Sequence, residues 1–293
     1  MARLTPSSSP KVSIVIPSFN RAALIGKALD TALSQTMKSV EVIIVDDCST
    51  DSTQDIVHHY MEIDPRVRYI RLDTNSDLPA VPRNVGISAA TGQYIAFLDD
   101  DDTWSSRKLA RQVRVLDSRP EIDLVHSHLL ATKNGGILRG LVSIQNPLRH
   151  DSSHQALRKR NVLQCSSVIG RSEVFRALGG FDERAELRIV EDYHFWLRIS
   201  KGHKIAYIPE IHGRYRVSLN SISSLEGTQK GHEYLYTLGM IFPPESKSSI
   251  VTRIQLKLIN YPAALYFHVF DGTVRKALNL SPRVFTFGTG EQD

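Results

Sequence analysis

The residues that most constrain the fold are 94–104, where an apolar run leads directly into four consecutive aspartates (YIAFLDDDDTW). A short apolar run bounded by a polar turn is typical of a buried strand. Four carboxylates at the end of that strand would repel one another unless a positive group lies among them. A hard divalent cation with oxygen ligands is the simplest such group, and an acidic turn that caps the following helix is the alternative.

Apolar runs alternate with helical patterns along the first hundred residues. Buried strands are predicted at residues 11–16, 40–45, 67–72 and 94–98, with amphipathic helices beginning near residues 24, 51 and 83. This alternation favours an α/β fold with a parallel sheet and right-handed crossovers. Because parallel strands end at one edge of a sheet, the polar residues after them should converge there. These residues are Asn20, Asp46, Asp47, Asp99, Asp100, Asp101 and Asp102.

The second half of the chain predicts a less regular set of elements. Strands are expected at residues 122–131, 137–144, 162–169 and 205–208. Helices are expected from about residue 109, around 172–178, and from Glu191-Asp192, which also complement a helix dipole. Two further helical patterns, at residues 230–241 and 247–270, close the sequence.

Composition excludes several classes of protein. The net charge of +5 is mildly basic, and no block of basic residues interleaved with aromatics predicts a nucleic-acid partner. Cys48 and Cys165 form no CxxC pair, which favours reduced thiols and a cytoplasmic location. The polar N-terminus lacks the apolar core of a signal peptide. No stretch approaches the roughly 20 apolar residues that span a bilayer.

The turn after the first strand, PSFNRAALIG, disfavours two nucleotide-binding classes. It lacks the GxGxxG of a dinucleotide-binding Rossmann unit, and the chain has no Gly-rich loop ending in GK[ST]. It is also unlike the Gly-rich, basic loop of nucleotidyltransferases that make activated sugars, so that class is a minor alternative.

Six segments, in order and at compatible spacing, resemble the family 2 glycosyltransferases of the GT-A fold over about residues 11–225. They are VSIVIPSFNR, VEVIIVDDCSTDST, PAVPRNVGISAATGQYIAFLDDDDTW, SSVIGRSEVFRALGGFDE, VEDYHFWLRIS and YRVSLNSIS. The resemblance implies a Rossmann-like, mostly parallel sheet flanked by helices. It also implies inverting transfer from a nucleotide-diphosphate sugar, UDP-linked by default, to a hydroxyl acceptor of a glycan or glycolipid.

The resemblance assigns a nucleotide-binding role to the first two loops. Pro17, Phe19 and Asn20 match the family's first loop, where an aromatic ring stacks near the base. Phe19 stands where tyrosine is frequent, so the stacking face is kept and the hydroxyl is lost. Asp46 and Asp47 match the pair in which one carboxylate contacts the base edge, and Asp47 is the favoured member.

The resemblance places the diphosphate and the metal at the third loop. Arg83 matches a basic residue that approaches the diphosphate. Asp99, Asp100 and Asp101 match the DXD motif, with Asp99 at the ribose or the metal and Asp100 in the nucleotide-sugar set. Asp101 would ligate Mg²⁺ or Mn²⁺ together with the diphosphate. Asp102 is interpreted as a helix cap or a supporting group.

The resemblance identifies Glu191-Asp192 with the family's ED pair, in which Asp192 is the favoured general base. One departure concerns the last segment, where many relatives have a histidine two residues after the Tyr-Arg pair. Here Tyr215-Arg216 is followed by valine and serine, and Arg216 remains available for the phosphates. This departure motivates the alternative of a non-catalytic nucleotide- or sugar-binding protein of the same fold.

These assignments predict a domain layout and a cellular setting. We expect a disordered leader at residues 1–10, a catalytic domain at 11–228 and a helical C-terminal extension at 229–293. Within the domain, residues 11–103 form the nucleotide-binding half and 104–228 the acceptor half. The apolar and basic extension is compatible with peripheral contact at the inner membrane face and with packing in a homodimer. The QxxRW motif of processive synthases is missing, which favours transfer of one sugar per encounter.

Overall fold

The computed structural model describes residues 9–133, 136–142, 152–217 and 225–241. Its helices are α1 (Ile25–Leu33), α2 (Thr53–Ile63), α3 (Ala80–Ala89), α4 (Lys108–Ser118), α5 (His154–Leu157), α6 (Ser172–Ala177), α7 (Glu191–Ser200) and α8 (Leu225–Thr237). Its strands are β1 (Val12–Ser18), β2 (Val40–Asp46), β3 (Val67–Arg71), β4 (Tyr94–Phe97), β5 (Thr103–Trp104), β6 (Leu124–Lys133), β7 (Gly136–Val142), β8 (Ile169–Arg171) and β9 (Ile205–Arg216).

Within the described residues these strands form one mixed sheet in the order β3-β2-β1-β4-β8-β6-β9-β5, with β7 paired to β6. The strands β1 to β4 are parallel, as their alternation with helices predicts. Antiparallel pairing begins at β8, which joins β4 to β6. The sheet is therefore continuous from the first half of the chain into the second. This is the predicted α/β class.

The parallel strands are buried on both faces, which explains their uninterrupted apolar sequence. Side chains alternate along β1: Val12, Ile14 and Ile16 pack into one apolar cluster, with α1, α2 and α4. Val15 packs into the other, with α3, α6 and α7. The helix α3 lies especially close to β1, because a Cβ on Gly86 would come within 2.3 Å of Val15 Cγ1.

Two strand predictions in the second half are wrong in their bounds. The predicted strand at 162–169 is irregular chain and a 3₁₀ turn at Cys165–Ser167, followed by the short β8. The predicted strand at 205–208 continues as β9 to Arg216. The pairing of β9 with β6 shifts register after Ile208, so that Pro209, which lacks a donor, sits in a bulge.

The C-terminal region is described only in part. The helix predicted at 230–241 is α8, which begins earlier, at Leu225. The helix predicted at 247–270 and its proposed membrane contact lie outside the described residues. Among the helices that are described, none is long and apolar enough to cross a bilayer.

Candidate active site

The sheet brings the loops after β1, β2 and β4 to one edge. Ser18, at the end of β1, is in register with Asp46, at the end of β2. Arg21 Nε, in the first loop, donates to Asp100 Oδ1, after β4, at 3.2 Å. Polar groups from three separate parts of the sequence thus form one surface, as expected where parallel strands end.

In the first loop, Pro17 lies in β1 opposite Val45. Phe19 and Asn20, which follow β1, have different roles. Phe19 is 41% exposed, so its ring face is accessible to a planar ligand. Asn20 adopts a left-handed backbone with φ of 53°. Its Oδ1 accepts a hydrogen bond from the backbone N–H of Thr50 at 2.8 Å. Asn20 therefore holds the neighbouring loop in place.

The adjacent Asp46 and Asp47 face different surroundings. Asp46 is fully buried, and its carboxylate accepts hydrogen bonds from the backbone N–H of Ser49 and the hydroxyl of Tyr69. The Asp47 carboxylate accepts from Ser76 N and from Ser76 Oγ, both at 2.9 Å. Asp46 thus supports the interior of the loop, whereas Asp47 lies at the loop that follows β3.

The four aspartates after β4 do not form one exposed cluster. Asp100 is buried beside Arg21, and burial raises its pKa to about 7 although the guanidinium opposes this. Asp102 is also buried, and burial together with neighbouring aspartate charges raises its pKa well above the usual range. Asp102 Oδ1 accepts a hydrogen bond from the backbone N–H of Arg216 at 2.9 Å. It does not cap a helix, since α4 begins only at Lys108.

Asp99 and Asp101 are the more accessible pair of this run. Asp99 Oδ1 accepts a hydrogen bond from Arg83 Nη2 at 2.8 Å, and the backbone N–H of Asp99 donates to Ser166 Oγ. Burial and the Asp99 charge raise the pKa of Asp101. Among the described residues no three acidic, histidine or cysteine side chains converge as a complete metal site. Two carboxylates fit an ion that takes its other ligands from phosphates and water, as Mg²⁺ usually does.

Arg83 connects the aspartate loop to the distant ED pair. Its Nη2 donates to Asp99 Oδ1 at 2.8 Å, and its Nη1 donates to Glu191 Oε1 at 2.6 Å. The guanidinium is buried and also lies over the Phe181 ring. Within the described chain, Arg83 Nε and Glu191 Oε2 are buried and make no hydrogen bond. Because both atoms are closed off from solvent, a ligand would reach them only if the surrounding side chains moved.

The ED pair opens α7 as the sequence predicts. Burial raises the pKa of Glu191 to about 7 and that of Asp192 to about 6, although Arg83 opposes both shifts. Asn161 lies beside Asp192 and favours its charged form. A half-buried carboxylate with a pKa near 6 is ionised at neutral pH and still basic enough to accept a proton.

The exposed Arg216 ends β9 close to the aspartate loop. Its charge lowers the pKa of Asp101, against the larger effects of burial and of Asp99. A cation thus lies on this side of the site. The histidine of β9, His212, is buried beside Glu210 and Ser105.

The comparison with known proteins agrees with this geometry. Residues 13–177 match the family described as Glycosyl transferase family 2. The chain belongs to this family. A putative teichuronic acid biosynthesis glycosyltransferase, TuaG of Bacillus subtilis, is 33% identical over 73% of this chain and 82% of its own length.

Two further proteins show how far the similarity of this glycosyltransferase extends. The UDP-Glc:alpha-D-GlcNAc-diphosphoundecaprenol beta-1,3-glucosyltransferase WfaP of Escherichia coli is 29% identical, over 90% of this chain and 94% of its own length. The structure of mannosyltransferase PcManGT from Pyrobaculum calidifontis with GDP-Man and Mn²⁺ superposes with a TM-score of 0.56. The superposition covers 87% of this chain and 82% of the PcManGT chain, and the two sequences are 16% identical. The fold is therefore of the GT-A type.

Three residues at the edge of the glycosyltransferase site were missed by sequence reasoning. Ser76 donates hydrogen bonds to both carboxylate oxygens of Asp47. Ser166 Oγ accepts a hydrogen bond from the backbone N–H of Asp99, and Asn161 lies beside Asp192. Ser76 and Asn161 lie in polar segments without periodicity, so no pattern marks them. Ser166 falls in the segment that was interpreted as a strand.

Proposed function

We propose that this glycosyltransferase uses a divalent metal and inverts the anomeric centre of a nucleotide-diphosphate sugar. The observation that carries the proposal is the Arg83 bridge, which joins Asp99 of the aspartate loop to Glu191 of the ED pair. Asp99 on the donor side and Glu191 on the acceptor side, 92 residues apart in sequence, are thereby held at one place. Such an arrangement suits a reaction between two bound substrates.

The donor would occupy the edge formed by the first three loops. Phe19 offers a ring face to the base, and Asp47 with Ser76 offers polar groups to the base edge. Asp99 and Asp101 would hold Mg²⁺ or Mn²⁺, which supplies positive charge to the leaving diphosphate. Arg83 and Arg216 add guanidinium donors on the same side, and these suit phosphate oxygens.

Asp192 would act as the general base. As the acceptor oxygen bonds to the anomeric carbon, the bond from that carbon to the phosphate oxygen breaks and Asp192 takes the hydroxyl proton. Attack from the face opposite the leaving nucleoside diphosphate inverts the anomeric centre. Glu191 fixes Arg83 rather than reacting, since its Oε1 is occupied by the guanidinium.

The relatives support a saccharide or lipid-linked acceptor. TuaG is named for teichuronic acid biosynthesis, and WfaP for transfer of glucose to a diphosphoundecaprenol-linked sugar. The base of the donor is open, because WfaP is named for UDP-Glc whereas PcManGT was determined with GDP-Man. We take UDP as the first candidate.

A thermal-shift panel of UDP, GDP, CDP and dTDP, each with and without Mn²⁺, tests this proposal. A nucleotide at about 100 times its dissociation constant stabilises the folded chain by roughly 2.7 kcal/mol. We expect one diphosphate to give this shift and to need the metal. A chain that no diphosphate stabilises, with or without Mn²⁺, would contradict the proposed donor site.

A further inference from the structure

Three consecutive cations follow α5: Arg158, Lys159 and Arg160. Lys159 and Arg160 are exposed and Arg158 is half-buried. Arg158 Nη2 donates to the backbone carbonyl of Gly239 at 3.4 Å. Leu157, just before the cations, packs in the same apolar cluster as Leu235 of α8. The cationic segment therefore lies against the C-terminal end of α8.

The end of α8 presents apolar side chains to solvent. Gly239, with φ of 66°, ends the helix, and Met240 N donates back to Leu235 O at 3.0 Å. The last turn leaves Tyr236 46% exposed, and Leu238, just after it, is 40% exposed. An aromatic and an aliphatic side chain are thus exposed within three residues of Gly239, whose backbone carbonyl contacts Arg158.

The segment after α5 is basic: residues 152–163 contain three Lys or Arg side chains and no carboxylate. On α8, residues 230–241 add one cation, Lys230, and one carboxylate, Glu233, so the positive charge of the region comes from the segment after α5. Burial is the main cause that lowers the pKa of His154, and the charges of Lys201, just after α7, and of Arg158 lower it further. Cations beside exposed tyrosine and leucine complement an interface in which anionic headgroups lie above acyl chains.

The same region is connected to the catalytic edge. Asn161 directly follows the cations and lies beside Asp192. The hydroxyl of Tyr193, the next residue of α7, donates to the backbone carbonyl of Leu157. A partner that binds the cations would therefore lie close to the proposed base.

We propose that the surface formed by Arg158, Lys159, Arg160, Tyr236 and Leu238 docks on an anionic phospholipid membrane. Docking there holds the acceptor side of the enzyme next to sugars carried by membrane lipids. This use of the surface rests on the proposed function, but membrane binding itself does not, so the two can fail separately.

Vesicle flotation of the full-length chain tests the docking surface. The vesicles are phosphatidylcholine with or without phosphatidylglycerol. Binding should require phosphatidylglycerol and weaken as ionic strength rises. Lys159→Ala/Arg160→Ala should reduce partitioning about 30-fold, which corresponds to about 2 kcal/mol for two cations near an anionic leaflet. Tyr236→Ser/Leu238→Ser should reduce partitioning at both low and high ionic strength, because it removes the apolar contact.

The matched control is Lys27→Ala/Arg114→Ala, which removes two exposed cations from α1 and α4 on the opposite face of the sheet. It should leave partitioning unchanged. Partitioning that survives both surface variants, or that falls equally in the control, overturns the proposal. So does a Lys159→Ala/Arg160→Ala variant that binds vesicles normally but transfers poorly to a detergent-dispersed lipid-linked acceptor. That result would mean that the cations contact the acceptor itself.

Discussion

Asp192→Asn should separate the chemistry of this enzyme from its stability. The substitution keeps the shape of the side chain and its acceptor oxygen for the backbone N–H of Tyr193, but it removes the base. Transfer should fall about 100- to 10,000-fold, the usual contribution of a positioned general base. Nucleotide binding should be nearly unchanged, because the proposed nucleotide contacts come from the loops after β1 to β4, from α3 and from Arg216 of β9, and none comes from α7.

The same substitution should make the folded chain more stable at pH 8. Raising the pKa of Asp192 from 3.8 to about 6 costs its charged form up to about 3 kcal/mol. Between pH 4 and about pH 6 the folded chain keeps a proton that the unfolded chain has released. The free energy of unfolding therefore falls as pH rises through this range and stays lower above it. Asparagine does not pay this cost, so its advantage should disappear near pH 4.

Denaturant unfolding at pH 8 and pH 4, with transfer assays on the same preparations, checks both effects. Asp117→Asn is the control. Burial is the largest single effect on the pKa of that carboxylate and raises it, but Lys11 and Tyr94 together hold the pKa below its usual value. It should lose up to about 1 kcal/mol at pH 8 and keep full transfer. Wild-type transfer by Asp192→Asn would refute the general-base role. A loss of stability at pH 8 in that variant would refute the energetic argument.

Four further substitutions test the donor side. Asp101→Ala should abolish the enhancement of nucleotide binding by Mn²⁺ in a titration, and an undiminished enhancement would exclude it as a ligand. Asp46→Asn should lower the free energy of unfolding in urea by about 2 kcal/mol, because a buried charged acceptor is lost. Asp47→Asn should instead chiefly weaken nucleotide binding. Arg83→Lys should lower the free energy of unfolding by about 3 kcal/mol and slow sugar transfer, because an ammonium group cannot span both carboxylates. A variant that is as stable as the wild type would show that the bridge is not formed.

The parallel half of the sheet could be predicted because its sequence carries a strong and local signal. Strands buried on both faces must be apolar throughout, and the polar residues that follow them mark where they end. Both features are visible in residues 12–16, 40–45 and 94–98. The segment at 162–169 is apolar for another reason. Val168 and Ile169 are core residues, but Ser166 turns so that its carbonyl accepts from Trp104 Nε1 at 2.7 Å.

The connection between Arg83 and Glu191 could not be predicted from either residue. Each has an ordinary local explanation, as a helical arginine and as an acidic residue at a helix N-terminus. Their pairing depends on α3 lying close to β1 and on α7 packing on the same face of the sheet. Sequence reasoning found the two residues by resemblance, but it gave no distance between them.

Asp46 and Asp47 show most clearly why a motif does not determine a role. The two carboxylates are adjacent and chemically identical, and both follow the same strand. Because successive side chains at the end of a strand point in different directions, one enters the interior and meets Tyr69 while the other meets Ser76. The Asp46 carboxylate already accepts hydrogen bonds from Ser49 and Tyr69, so a ligand could reach it only by breaking those hydrogen bonds. The other is held by a single serine on a loop, and a nucleotide base could replace that serine at the cost of two hydrogen bonds.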